Sequence, residues 1–72
     1  MDKSLTLTST FPSFPDAVDF LNEVALLAEQ ANHHPDIELR HRTLKLSLTT
    51  HSAGGLTDAD FKLARHIDEL QD

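Results

Sequence analysis

Hydrophobic spacing along this chain switches from a period of two to a period near 3.6, back to two, and again to 3.6, and that order admits few folds. Leu5, Leu7 and Phe11 alternate with threonines, and Pro12 closes the run, which predicts a half-buried strand. Ser13-Phe14-Pro15-Asp16 then reads as a helix start, with Ser13 as N-cap, Asp16 as the acid three residues on, and Pro15 in the first turn. The predicted helix runs to about Ala31 with an apolar stripe of Phe14, Ala17, Val18, Leu21, Val24, Ala25 and Ala28. Asn32 is placed to cap it, and Pro35 bars its extension. Ile37, Leu39 and His41, then Leu44, Leu46 and Leu48, alternate with polar residues about a tight turn and predict a hairpin. Gly54-Gly55 break the chain, after which Thr57 and Asp60 repeat the capping pattern, with Leu56 and Phe61 as its hydrophobic staple. A closing helix to about Leu70 presents Ala64, Ile67 and Leu70. The order β-α-β-β-α predicts a single α+β domain over residues 1–72, an antiparallel β-sheet with two helices packed on one face and the other face partly open.

A chain of 72 residues without cysteine has little else to hold it. Area scaling allows it to bury only about 62% of its unfolded surface. So thin a core, with no disulfide or cysteine-bound metal, favours burial between subunits, and the threonine-rich first strand is the candidate pairing edge. Twelve acidic against six basic side chains give a net charge of −6, and the bases are scattered in sequence, which argues against nucleic acid as a partner. No apolar run reaches the length of a membrane span, and Met1-Asp2-Lys3-Ser4 does not open a signal peptide. The expected location is cytoplasmic.

Any chemistry resides in the histidines, His33, His34, His41, His51 and His66. His33 and His34 follow the first helix and His51 follows the third strand. The hairpin returns Thr50 and His51 beside the start of the second strand, so His33, His34 and His51 are expected to converge. Glu29, four residues before His33, is placed to orient that ring. His41 and His66 read as solvated surface residues. Three histidines and Glu29 match zinc's preferred donors, but adjacent histidines in extended chain point to opposite sides and no paired-ligand motif is present, so no metal is predicted. Ser52 beside His51 lacks the strained turn of a nucleophilic serine. Gly54-Gly55 serve better as a bend than as a phosphate cradle.

Glu29-Gln30-Ala31-Asn32-His33-His34-Pro35, then Thr50-His51 and Gly55-Leu56-Thr57-Asp58-Ala59-Asp60, resemble the signature of the pterin-4a-carbinolamine dehydratases. The similarity extends through Phe11–Ala17, Val24–Glu29 and Leu63–Asp68, nearly the whole chain. It implies a hydro-lyase that removes water from 4a-hydroxytetrahydropterin to give quinonoid dihydropterin in tetrahydrobiopterin recycling, with no metal or organic cofactor. It also implies a homodimer or homotetramer. In this reaction an acid protonates the departing hydroxide while a base removes a ring-nitrogen proton, and histidine suits both tasks. By the same resemblance the catalytic residues are His33, His34 and His51. His33 and His51 share the acid and base roles, and His34 holds or polarises the substrate. Glu29, Asn32, Thr49, Thr50, Ser52 and Asp60 line or support the pterin pocket.

The resemblance begins after the helix and strand with which full-length members open. Where the family carries a Trp, then an Asn and a Tyr at alternating positions, this chain has Ile37, Leu39 and His41, and Ala59 replaces an Arg. A non-catalytic assembly module on the same scaffold is the alternative these departures keep open.

Overall fold

The computed structural model describes residues 4–50 and 55–71. They form β1 (Leu5–Thr10), α1 (Phe14–Ala31), β2 (Asp36–Arg40), β3 (Thr43–Leu48) and α2 (Asp58–Gln71). Three strands make one antiparallel sheet in the order β1-β3-β2, with both helices on one face, as the periodicity predicts.

Local chemistry sets the bounds of α1. Ser13 is extended, and its hydroxyl accepts the amide of Asp16 at 3.2 Å. At the other end Asn32 turns left-handed, at φ 50° and ψ 42°. Its amide bonds the Glu29 carbonyl at 3.1 Å while that of His33 reaches the Ala28 carbonyl at 3.0 Å, a Schellman close that satisfies the last turn. The buried arc of α1 is rotated from the predicted stripe. Ala17, Val24 and Ala28 are buried, and Phe20 and Leu27 pack against the core, whereas Phe14 and Ala25 face outward. The rotation follows from packing on two partners, since α1 contacts α2 as well as the sheet.

β1 and β2 each pair antiparallel with β3, so they are parallel to each other. Joining parallel strands requires a crossover, which α1 supplies, whereas β2 and β3 need only a two-residue turn at His41-Arg42. His41 is therefore the tip of the hairpin and not an inward strand residue. Its φ of 54° is a value more usual for Gly or Asn.

The centre of the core is β3. Leu44, Leu46 and Leu48 alternate inward, each no more than 2% exposed, and pack with Val24, Leu63 and Ile67. Phe11 and Phe20 close one edge with ring centroids 5.0 Å apart. Thr6, Thr8, Thr10, Lys45, Asp36 and Glu38 make the opposite face polar and exposed. Ile37 sits opposite Leu46 on the helix side yet is 47% exposed, because α1 lies on β3 and α2 on β1, leaving β2 thinly covered. No described helix is long and apolar enough to cross a membrane.

Truncating the middle of the core strand, Leu46→Ala, is expected to lower unfolding free energy by about 2–5 kcal/mol in urea titration. Thr6→Ala, on the open face, is expected to change it by less than about 0.5 kcal/mol.

Candidate active site

The crossover gathers four element ends at one end of the sheet: the close of α1, the start of β2, the end of β3 and the start of α2. His33, Thr50, Thr57 and Asp60 come from these ends. Thr50 and Gly55 bridge their backbones, with Thr50 N to Gly55 O at 2.9 Å and Gly55 N to Thr50 O at 3.2 Å. The bridge brings the close of β3 against the entrance to α2.

Asp60 is the centre of the cluster and is wholly buried, the one buried charged residue among those described. It lies in line with Leu63 and Ile67 on the inward face of α2. Burial alone would raise its pKa. Hydrogen bonds from His33, the Thr57 amide and Thr50, together with the charge of His33, outweigh that effect and hold it below its ordinary value of 3.8. The His33 Nε2 is 2.5 Å from Asp60 Oδ1. Thr50 donates its hydroxyl to Oδ2 at 2.8 Å, and the Thr57 amide donates to the same oxygen at 2.9 Å.

An ionised carboxylate only accepts hydrogen bonds, so Nε2 of His33 must carry the proton in that pair. In the neutral ring the lone pair is then on Nδ1. The Schellman close fixes the backbone of His33, and Asp60 fixes its tautomer and ring orientation. The ring retains partial access to solvent, with 15% of its side chain exposed. That combination suits a group exchanging protons with a bound molecule.

The neighbouring ring behaves differently. His34 is well exposed and pairs through Nε2 with the carboxylate of Glu29, itself largely exposed. Glu29 thus orients His34 and not His33, because the left-handed turn at Asn32 swings His33 inward and leaves His34 on the surface above the last turn of α1. A pair so exposed contributes little to stability. Asn32 supplies that turn, and Thr49 lies half-buried beside Thr50. His51 and Ser52 lie outside the described residues. Among the described residues no three His, Asp or Glu side chains gather as metal ligands.

The sequence pattern of Thr57 and Asp60 gives only half of the predicted capping box. Asp60 reaches back to the Thr57 amide, but the Thr57 hydroxyl meets that of Thr50 at 2.8 Å. The i, i+3, i+7 alignment of Asp60 with Leu63 and Ile67 is the sequence signal for its inward position, and nothing local signals the use of the Thr57 hydroxyl. An open depression of about 570 Å³ surrounds the hairpin tip at the far end of β2. Its arginines are engaged, Arg40 by Glu38 at 2.8 Å and Arg42 by the Phe11 carbonyl at 2.9 Å, and no titratable pair like His33 and Asp60 lies there.

Residues 1–70 match the sequence profile of the family described as pterin 4 alpha carbinolamine dehydratase. A Roseiflexus sp. (strain RS-1) protein is 60% identical over 88% of this chain and 68% of its own length. One from Nostoc punctiforme is 44% identical over 97% of this chain and 75% of its own. Both are named for pterin-4-alpha-carbinolamine dehydratase activity that the names mark as unproven. Among solved structures, a transcriptional coactivator/pterin dehydratase from Brucella melitensis superposes with a TM-score of 0.87 at 33% identity, over 92% of this chain and 70% of that one. A pterin dehydratase-like protein identified as a RuBisCO assembly factor of the alpha-carboxysome shares the fold, with a TM-score of 0.79 at 24% identity over 93% of this chain and 77% of its own.

The lowered pKa of Asp60 sets a pH dependence. Its carboxylate stabilises the fold fully above about pH 4, and that contribution is lost as pH falls from there through the lowered value. Asp60→Asn is expected to cost about 1–3 kcal/mol at pH 7 and to lose less stability on acidification than the parent, as read from urea midpoints at pH 7 and pH 3.

Proposed function

Because the chain belongs to the pterin 4 alpha carbinolamine dehydratase family, we propose that it dehydrates 4a-hydroxytetrahydropterin to quinonoid dihydropterin and water, as in tetrahydrobiopterin recycling. The observation that carries this reading is the part-buried His33–Asp60 pair, which fixes the orientation of a ring that keeps partial access to solvent. The carbon–oxygen bond of the carbinol breaks as an acid protonates the departing hydroxyl, and a ring nitrogen gives up its proton to a base. His33, through Nδ1, serves one of these transfers and His51 the other. His34, braced by Glu29 at the surface, helps hold the pterin, with Asn32, Thr49 and Ser52 in the segments beside it. Thr50 and Asp60 act on His33 instead of contacting substrate, since their polar atoms are engaged with each other. The family resemblance implies that neither metal nor organic cofactor enters the reaction.

Cytoplasmic location and self-association into a homodimer or homotetramer belong to the same reading. Supporting the latter, Phe14, Leu26, Ile37 and Phe61 are each 47–59% exposed. The surface of 4937 Å² also exceeds the roughly 4,450 Å² that area scaling gives for this mass. Light scattering at micromolar concentration is expected to give a mass of two or four chains; a monomer would contradict it.

The second reading is a non-catalytic assembly role, favoured by one observation: the RuBisCO assembly factor is built on the same fold. Stopped-flow dehydration of chemically generated 4a-hydroxytetrahydrobiopterin separates the two. The parent is expected to accelerate the reaction over buffer, and His33→Ala and His51→Ala to lose about 10²-fold or more of that acceleration. No acceleration from a folded protein would leave the assembly role.

A further inference from the structure

Both helices of this chain open with the same hydroxyl-x-x-acid pattern, Ser13 to Asp16 and Thr57 to Asp60, yet the two hydroxyls do different things. Ser13 accepts the amide of Asp16, the usual duty of an N-cap side chain. Thr57 leaves that duty to its backbone, whose carbonyl takes the Asp60 amide at 3.1 Å, and turns its hydroxyl to Thr50 at 2.8 Å. Forgoing a side-chain cap sacrifices helix stability, so the hydroxyl has another use in this fold.

Proton counting shows the direction of the chain. Thr50 has one hydroxyl proton, and the carboxylate of Asp60 can only accept, so that proton is committed to Asp60 Oδ2. The proton between the two threonines must then come from Thr57. The result is a one-way series, Thr57 hydroxyl to Thr50 hydroxyl to Asp60, met from the other side by His33 Nε2–H. With the Thr57 amide also on Oδ2, that oxygen is fixed from two directions and the carboxylate plane cannot rotate, so Oδ1 stays aimed at His33.

We propose that Thr57 is a positioning residue: its hydroxyl, acting through Thr50 and Asp60, holds the His33 ring in the Nε2–H tautomer and keeps Nδ1 toward the substrate. The inference rests on the reading of His33 as a proton-transfer group, but its geometric half is measurable without catalysis. Thr57→Val removes the hydroxyl and keeps the backbone amide and carbonyl that bond Asp60.

The experiment is nitrogen-15 NMR of the His33 ring in the full chain, near neutral pH, for the parent, Thr57→Val, Thr57→Ser and Thr50→Val, with steady-state dehydration kinetics on the same samples. The parent and Thr57→Ser are expected to show a single Nε2–H tautomer. Thr57→Val is expected to show mixed tautomers and a kcat lower by about tenfold with KM unchanged. Thr50→Val, which cuts the series at its other link, must reproduce the mixing; it decides the matter if Thr57→Val does not fold. A folded Thr57→Val with a single Nε2–H tautomer and parental kcat overturns the proposal and leaves Thr57 a helix-terminus residue. A parent that shows the single tautomer but no dehydration overturns the enzymatic reading alone, and the variants' tautomers still decide the role of Thr57.

Discussion

A carboxylate removed from water is tolerated only when its oxygens are occupied by donors, and Asp60 imposes that requirement on three separate segments of a small chain. The end of α1 must supply His33, the end of β3 must supply Thr50, and the entrance to α2 must supply Thr57. Each donor is useful only if its segment arrives at the same end of the sheet. The crossover topology delivers them there, and the Leu44, Leu46 and Leu48 row below keeps water out. Removing one donor leaves the charge under-satisfied, so the polar cluster and the apolar core are interdependent. The His33–Asp60 cluster is for this reason a structural keystone.

Much of this architecture was legible in the residues. The alternation of Leu44, Leu46 and Leu48 gave the core strand, Ser13 and Asn32 gave the limits of α1, and alternation on both sides of a tight turn gave the hairpin, although the turn falls at His41-Arg42, which that alternation had counted as strand. Phe14 and Ala25 were misplaced because a helical stripe shows its width and not how two partners divide it. The pairing of Glu29 was misread for a related reason. A four-residue spacing places it near His33 only while the helix continues, and the left-handed turn at Asn32 redirects the chain before that ring is reached. Asp60 was marked as a helix-start acid and, by the family resemblance, as a carboxylate supporting the pocket, but the Thr50 and His33 that satisfy it lie 10 and 27 residues away, and local pattern does not encode those partners.

The scaffold separates its surfaces. The histidine end draws on α1, β2, β3 and α2, while the polar outer face of the sheet is free of that cluster. Such a division lets related chains keep one fold while altering use, as the shared fold of the Brucella dehydratase and the RuBisCO assembly factor illustrates.

The two neighbours of β3 also differ in when they can join it. Arg40 and Thr43 meet across a two-residue turn, whereas the nearest β1 partner of Thr43, Thr10, is 33 residues away. Loop closure makes the second pairing about 2 kcal/mol more costly in chain entropy. Every side chain of the Asp60 cluster lies from His33 onward, so that cluster belongs to the half of the sequence that closes locally. β1 is therefore the strand whose pairing carries the larger entropic cost, and it supplies none of the side chains of that cluster.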